Sequence, residues 1–295
     1  MSVDFRHLAP GDHCLHATVA NDRRSFCVHV PEHLDVSLNP VVALDGITLW
    51  NQKGNMGGIN GLDAASDKYK FATIYPVPKT RYFGILAGWN TLGAYLAYRS
   101  EYDDIDFLRE VFAMLCVGRA YAIGFSAGAQ FAHILAGRLA GTIAGVASVC
   151  GTWLGTEPSP PSGTALLVIH GEEDPVQPYR GESHAFRVRL LASLGNRNVM
   201  LSRPDLQAQT YAAANGYSLE PEVEQTPIFV KRTFGHGPVP VVEYMVRHPY
   251  GRHAYHGRQT GKGTESVLSR IQGRPAPPGM FSVNEVFATT MGFAK

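Results

Sequence analysis

Ser126 stands in Gly124-Phe125-Ser126-Ala127-Gly128, where an apolar run, Ala120 to Ile123, meets a helical pattern, Ala127 to Leu139. A tight turn from strand to helix forces its central residue into strained backbone, and bulk on either side would clash with the two elements it joins. Glycines at 124 and 128 meet that need. The turn lifts the serine oxygen clear of the sheet and sets it at a helix N-terminus, whose amides favour developing negative charge. Those are the requirements of a nucleophile.

A serine needs a base and an orienting acid to act as one, and in this architecture they follow it in the order acid, then histidine. The apolar run Ala165 to Ile169 leads into His170-Gly171-Glu172-Glu173-Asp174. A carboxylate just past the strand's carboxyl end can meet the serine's loop, and Asp174 is the natural choice over Glu172 and Glu173. His170 precedes the acid and reads as a structural turn histidine. For the base, the stretch after the last strand offers His248, His253 and His256. Spacing alone does not choose among them.

Elements must position these residues. Alternating stretches, His13 to Ala20 and Ser25 to Val30, predict an antiparallel hairpin turning at Asn21-Asp22. Apolar runs recur at Val41 to Leu44, Phe71 to Tyr75, Ala120 to Ile123, Ile143 to Val149, Ala165 to Ile169 and Val239 to Val246. Helical patterns separate several of them, clearest from Ile105 to Leu115 and from Phe131 to Leu139. Strands alternating with helices imply a mostly parallel sheet covered on both faces, with ligands at the strands' carboxyl ends. Residues 201–234 read as part of a lid over the site or as a plain connection. Residues 257–279 read as a long surface loop before a last helix, Val283 to Met291.

With 295 residues, one large α/β domain with insertions is expected over 1–295. The 26 basic and 25 acidic residues balance, so neither nucleic acid nor an anionic membrane is an expected partner. No apolar stretch is long enough to span a bilayer. Residues 1–16 lack the features of a signal peptide, which predicts a cytoplasmic protein, or a secreted one if a leader has been removed. The four cysteines, Cys14, Cys27, Cys116 and Cys150, lack CxxC spacing, so no zinc site is expected. They read as buried free thiols, with a Cys14–Cys27 bridge across the hairpin as the alternative. The stretch from Gly257 to Thr264 departs from a phosphate-binding loop in spacing and in the residue after Lys262. The cluster Arg247, Arg252, Arg258 and Lys262 reads as solvated charge, with contact to an anionic substrate as the alternative. Trp89 falls in a loop after a strand, where it could line a pocket or pack in the core.

Taken in order, these motifs resemble the α/β-hydrolase esterases of the polyhydroxybutyrate depolymerase and feruloyl esterase group. The resemblance runs from "RSFCVHVP" (24–31) through "NPVVALDG" (39–46), "FATIYP" (71–76), "YDDIDFLREVF" (102–112) and "GFSAGAQFA" (124–132) to "HGEEDPVQPY" (170–179) and "RHAYHG" (252–257). It implies an α/β-hydrolase fold and a triad of Ser126, Asp174 and His253. It also implies an oxyanion hole from the amides of Ala127 and Ile47, with Thr48 as neighbour, and a substrate that is a carboxylic ester. No cofactor or metal is implied. Asp45 stands where the family has a histidine beside the oxyanion hole, and Tyr255-His256 where it has Trp-Pro. Asp45, Trp89, Phe125 and Tyr255 are the candidate pocket residues. An ionised Asp45 would oppose the charge formed in acyl transfer, which keeps an acyltransferase and a catalytically degenerate binding protein as alternatives to a hydrolase.

Overall fold

Gly11–Val19 (β1) and Asp22–Val30 (β2) pair antiparallel, with Val19 opposite Asp22. The two-residue turn is therefore Ala20-Asn21, one position earlier than expected, and both residues take positive φ (47° and 66°). That is the backbone a tight hairpin turn needs to match the twist of its strands. The same register sets Cys14 opposite Cys27, and the two are joined by a disulfide. The expectation of free thiols at these positions is corrected, because facing cysteines across a strand pair lie within bonding reach. Cys116 and Cys150 remain free.

The computed structural model describes residues 2–49, 56–58, 60–82, 86–91, 103–152, 159–181, 202–236, 238–257, 274–277 and 279–294. Six apolar runs in it form parallel strands: Val41–Leu44 (β3), Thr73–Pro76 (β5), Ala120–Phe125 (β8), Ile143–Val149 (β9), Ala165–Gly171 (β10) and Val241–Val246 (β13). Their order is β5-β3-β8-β9-β10-β13, with β2 and β1 continuing antiparallel beyond β5. At the other edge, Phe229–Gly235 (β12) and Glu222–Gln225 (β11) add two antiparallel strands beyond β13. Residues 201–234, read as a lid or a connection, thus contribute these edge strands and the helix Pro204–Ala214. They extend the sheet beyond β13. A small antiparallel sheet is formed by Thr48–Leu49 (β4), Thr80–Tyr82 (β6) and Leu86–Gly88 (β7); β7 is the strand expected before Trp89, while β4 and β6 are too short to show a period.

Helices Leu62–Tyr69 (α1), Asp104–Met114 (α2), Ala127–Arg138 (α3), Pro204–Ala214 (α4) and Val283–Thr290 (α5) cover both faces. Side chains alternate along each strand, so Val42, Leu44, Ala122, Val146 and Leu166 pack with α2, α3 and α4. Val41, Ala43, Ile123, Ala147 and Leu167 pack with α1 and α5 on the other side. Helix α2 begins where Asp103 accepts from the N–H groups of Ile105 and Asp106.

Register fixes what meets at the carboxyl ends. Leu44 lies beside Gly124, Phe125 beside Val149, and Gly171 beside Val246. The loops carrying Asp45, Ser126, Asp174 and His253 therefore leave the sheet on one edge. This is the α/β-hydrolase fold.

Candidate active site

Ser126 occupies the turn between β8 and α3 with φ 55° and ψ −117°, a strained conformation for a residue with a Cβ. Space around it is closed on both sides. A Cβ at Gly124 would lie 2.3 Å from the carbonyl oxygen of Gly128, and one at Gly128 would lie 2.0 Å from that of Leu44. Only glycines allow strand, turn and helix to approach so closely. The Ser126 N–H donates to the Val149 carbonyl at 2.9 Å, tying the elbow to β9.

The loop after β3 runs alongside. A Cβ at Gly46 would fall 3.3 Å from the Ser126 Cβ. Ile47 follows with its side chain 41% exposed, while its neighbour Thr48 opens β4. Trp89 braces this loop from beneath, donating its indole N–H to the Asp45 carbonyl at 2.8 Å and stacking on Phe131 of α3 at 4.8 Å with 3° between the rings. Asp104 in turn accepts from the Asn90 N–H at 2.7 Å and from Arg24 at 2.6 Å. Trp89 is wholly buried, so it supports the loop and does not line an open pocket, because its indole is enclosed by helix α3 and this loop. Asp45 is itself 8% exposed.

Asp174 and His253 meet. The His253 Nδ1 lies 2.7 Å from Asp174 Oδ2, and both side chains are buried. The other carboxylate oxygen accepts from the N–H groups of Val176 and Gln177 at 2.8 and 2.9 Å. Burial pushes the Asp174 carboxyl up, but the charge and hydrogen bond of His253, with the Gln177 amide, outweigh it and hold the group below its ordinary value. The competitors fall elsewhere. His248 faces Glu173 at 3.3 Å on the surface, and His256 is buried with its Nδ1 accepting from the Ala276 N–H at 3.2 Å. His170 donates through Nε2 to the Gln177 carbonyl at 2.7 Å, a structural bond within the acid loop, and burial lowers its pKa.

His253 reaches toward the elbow. Its ring centroid is 5.2 Å from that of Phe125, the residue before the serine, and Phe125 is 6.0 Å from Tyr255. Tyr255 is buried and donates to Asn284 Oδ1 at 2.6 Å, so it packs beneath the site. Burial raises its phenol, and the charge of Asp45 adds to that rise. Among the described residues Ser126 Oγ makes no hydrogen bond to His253; catalytic hydrogen bonds of this kind commonly tighten only with substrate bound.

Gln177, Gln130 and Thr152 were not singled out by sequence. Gln177 Oε1 accepts from the Thr152 N–H at 2.9 Å, from the Thr152 hydroxyl at 3.1 Å and from Gln130 Nε2 at 3.2 Å. All three are buried. One amide oxygen thereby joins the loop of Asp174, the loop after β9 and the helix after Ser126. The signal was present for Gln130, an amide in otherwise apolar surroundings a helical turn beyond Ser126.

A cavity of about 570 Å³, lined by Tyr121, Lys231, Val242, Tyr244, Thr289 and Met291 among others, lies at the opposite end of the parallel strands. Tyr121 begins the strand whose far end carries Ser126, so this cavity is no part of the site. The basic cluster is only partly placed: Arg247 bonds to the Thr226 carbonyl and Gln225 side chain, while Arg258 and Lys262 lie outside the described residues.

The fold and the elbow define the class: an α/β-hydrolase scaffold with a serine, a histidine and an aspartate at the carboxyl edge of its sheet. No family model matches the chain. It is 34% identical over 139 residues to "Putative esterase NocK" of Nocardia uniformis subsp. tsuyamanensis, a match covering 43% of this chain and 38% of that protein. The acetyl xylan esterase of Aspergillus awamori superposes over 96% of this chain and 100% of its own, with a TM-score of 0.58 and 14% identity. At that identity the likeness is one of fold.

Proposed function

We propose that the protein is a serine esterase built as a single α/β-hydrolase domain. The observation that carries this reading is the buried 2.7 Å contact of Asp174 with His253 on loops that leave the sheet beside the strained Ser126 elbow. In it, His253 takes the proton from Ser126 as the oxygen attacks an ester carbonyl, and Asp174 fixes the imidazole and balances its charge. The amides of Ala127 and Ile47 receive the oxyanion, and water cleaves the acyl-enzyme. Support comes from the order of motifs, the match to a protein named as an esterase, and a fold shared with an acetyl xylan esterase.

The substrate is a carboxylic ester. Feruloyl and other aryl esters, short aliphatic esters and hydroxyalkanoate oligomers are the classes the family resemblance supplies. The Cys14–Cys27 bridge favours an oxidising compartment over the cytoplasm, since reducing conditions keep thiols apart. No helix among the described residues is long and apolar enough to cross a membrane.

A panel of p-nitrophenyl and feruloyl esters, run on wild type, Ser126→Ala and Asp45→Asn, tests this reading. Hydrolysis that Ser126→Ala abolishes is expected, and a rate raised in Asp45→Asn would mark the Asp45 charge as a penalty on the oxyanion. Labelling of Ser126 by a fluorophosphonate without turnover of any ester would favour the acyltransferase, and no labelling the binding protein.

A further inference from the structure

Cys150 directly follows β9 with φ 50° and lies under the histidine loop. Its Sγ sits 3.5 Å from the carbonyl oxygen of Ala254 and 4.0 Å from that of Arg252, the residues on either side of His253. One donor atom each from Cys150, Asp174 and His253 falls within 4.8 Å of the others, and all three residues are buried. No step of the proposed hydrolysis uses this thiol.

We infer that these three side chains form an inhibitory site for a thiophilic divalent cation, zinc or cadmium, which disables the enzyme by taking Asp174 and His253 as ligands. The inference rests on the triad reading given above. Sulfur, imidazole nitrogen and carboxylate oxygen are the donor types that zinc selects. Neighbouring ligands around a tetrahedral zinc lie about 3.3 to 3.7 Å apart, given its bond lengths. The thiol therefore closes by about 1 Å and the His253–Asp174 contact opens by about 0.7 Å, shifts within reach of side chains on loops.

Charge balances once the metal is bound. Binding releases the thiol proton to solvent and moves the Nδ1 proton of His253 to Nε2, leaving a neutral imidazole with Nδ1 on the metal. A dication with one thiolate and one carboxylate is then neutral overall. Burying that set avoids the cost of an uncompensated ion. His253 loses both its orienting carboxylate and its free nitrogen for proton transfer, so turnover stops without change to Ser126.

The test uses the full chain carrying Cys116→Ser, because Cys116 is exposed and would itself take the metal. Cadmium is titrated while the ultraviolet thiolate-to-cadmium absorption is followed, and ester hydrolysis is measured with and without zinc, then after chelation. The expected result is one equivalent of cadmium bound through a thiolate, and loss of hydrolysis in zinc that chelation restores. Cys150→Ser and Cys150→Ala should lose the absorption and keep their own rates when zinc is added. Absence of the absorption, or equal zinc inhibition in the Cys150 variants, overturns the inference. If those variants do not fold by circular dichroism, loss of the absorption in Asp174→Asn and His253→Gln decides instead. The absorption needs no turnover, so a protein that binds cadmium this way but cleaves no ester contradicts the esterase reading alone.

Discussion

Gln130 and Gln177 are joined by a buried 3.2 Å hydrogen bond that links the helix after Ser126 to the loop that carries Asp174. Gln177→Ala removes the acceptor of the Thr152 amide and hydroxyl, at a cost of about 1 to 3 kcal/mol. Expressed at the site, that corresponds to a fall in kcat of about tenfold or more. KM should change little, because neither glutamine is in the elbow or the oxyanion loop. Gln177→Glu keeps an acceptor for Thr152 and should recover part of the rate. Steady-state kinetics of both variants decide it; an unchanged kcat in Gln177→Ala rules out a positioning role.

Trp89→Phe keeps an aromatic ring on Phe131 but removes the N–H that holds the Asp45 carbonyl. The oxyanion loop should loosen, lowering kcat by about tenfold at a cost of about 1 to 2 kcal/mol. A variant in which stability falls but kcat is retained would show that the indole supports the core alone.

His133, between α3 and α4, is wholly enclosed, with its Nδ1 3.0 Å from the Tyr211 hydroxyl. Burial lowers its pKa to about 4 from 6.5. The unfolded chain therefore binds a proton that the folded one refuses between those values, and stability is present above pH 6.5 and lost as pH falls toward 4. The loss from this group reaches about 3 kcal/mol. Tm measured across that window should fall more steeply for wild type than for His133→Gln, and parallel curves would refute the assignment.

Reducing the Cys14–Cys27 bridge, or replacing both cysteines by serine, frees a loop whose ends are 13 residues apart. The chain-entropy cost is about 3 kcal/mol, read as a lower Tm. Identical melting with and without reductant would show that the pair is not bridged.

Much of the parallel sheet was legible because its strands are buried on both faces and read as continuous apolar runs, such as Ile143–Val149. The elbow was legible because its glycines answer a steric demand within five residues. The edge strands β11 and β12 were not: all four residues of β11 are exposed, so no apolar period marks them. The choice of His253 over His248 and His256 needed the resemblance, since only the tertiary fold shows which loop position faces Asp174. The Cys14–Cys27 bridge was legible only as the alternative to free thiols, because the strand pairing that sets the two face to face depends on the turn and the sequence reading favoured a reducing compartment. The role of Trp89 depends on a carbonyl 44 positions away.

The central claim is that Ser126 is a nucleophile served by His253 and Asp174. Its most direct measurement is hydrolysis of a short p-nitrophenyl ester by wild type and Ser126→Ala, with fluorophosphonate labelling followed by mass spectrometry. The account predicts a single label on Ser126 and a loss of about a thousandfold or more in kcat/KM in the variant. Undiminished hydrolysis by Ser126→Ala, or a label carried by another residue, would contradict it.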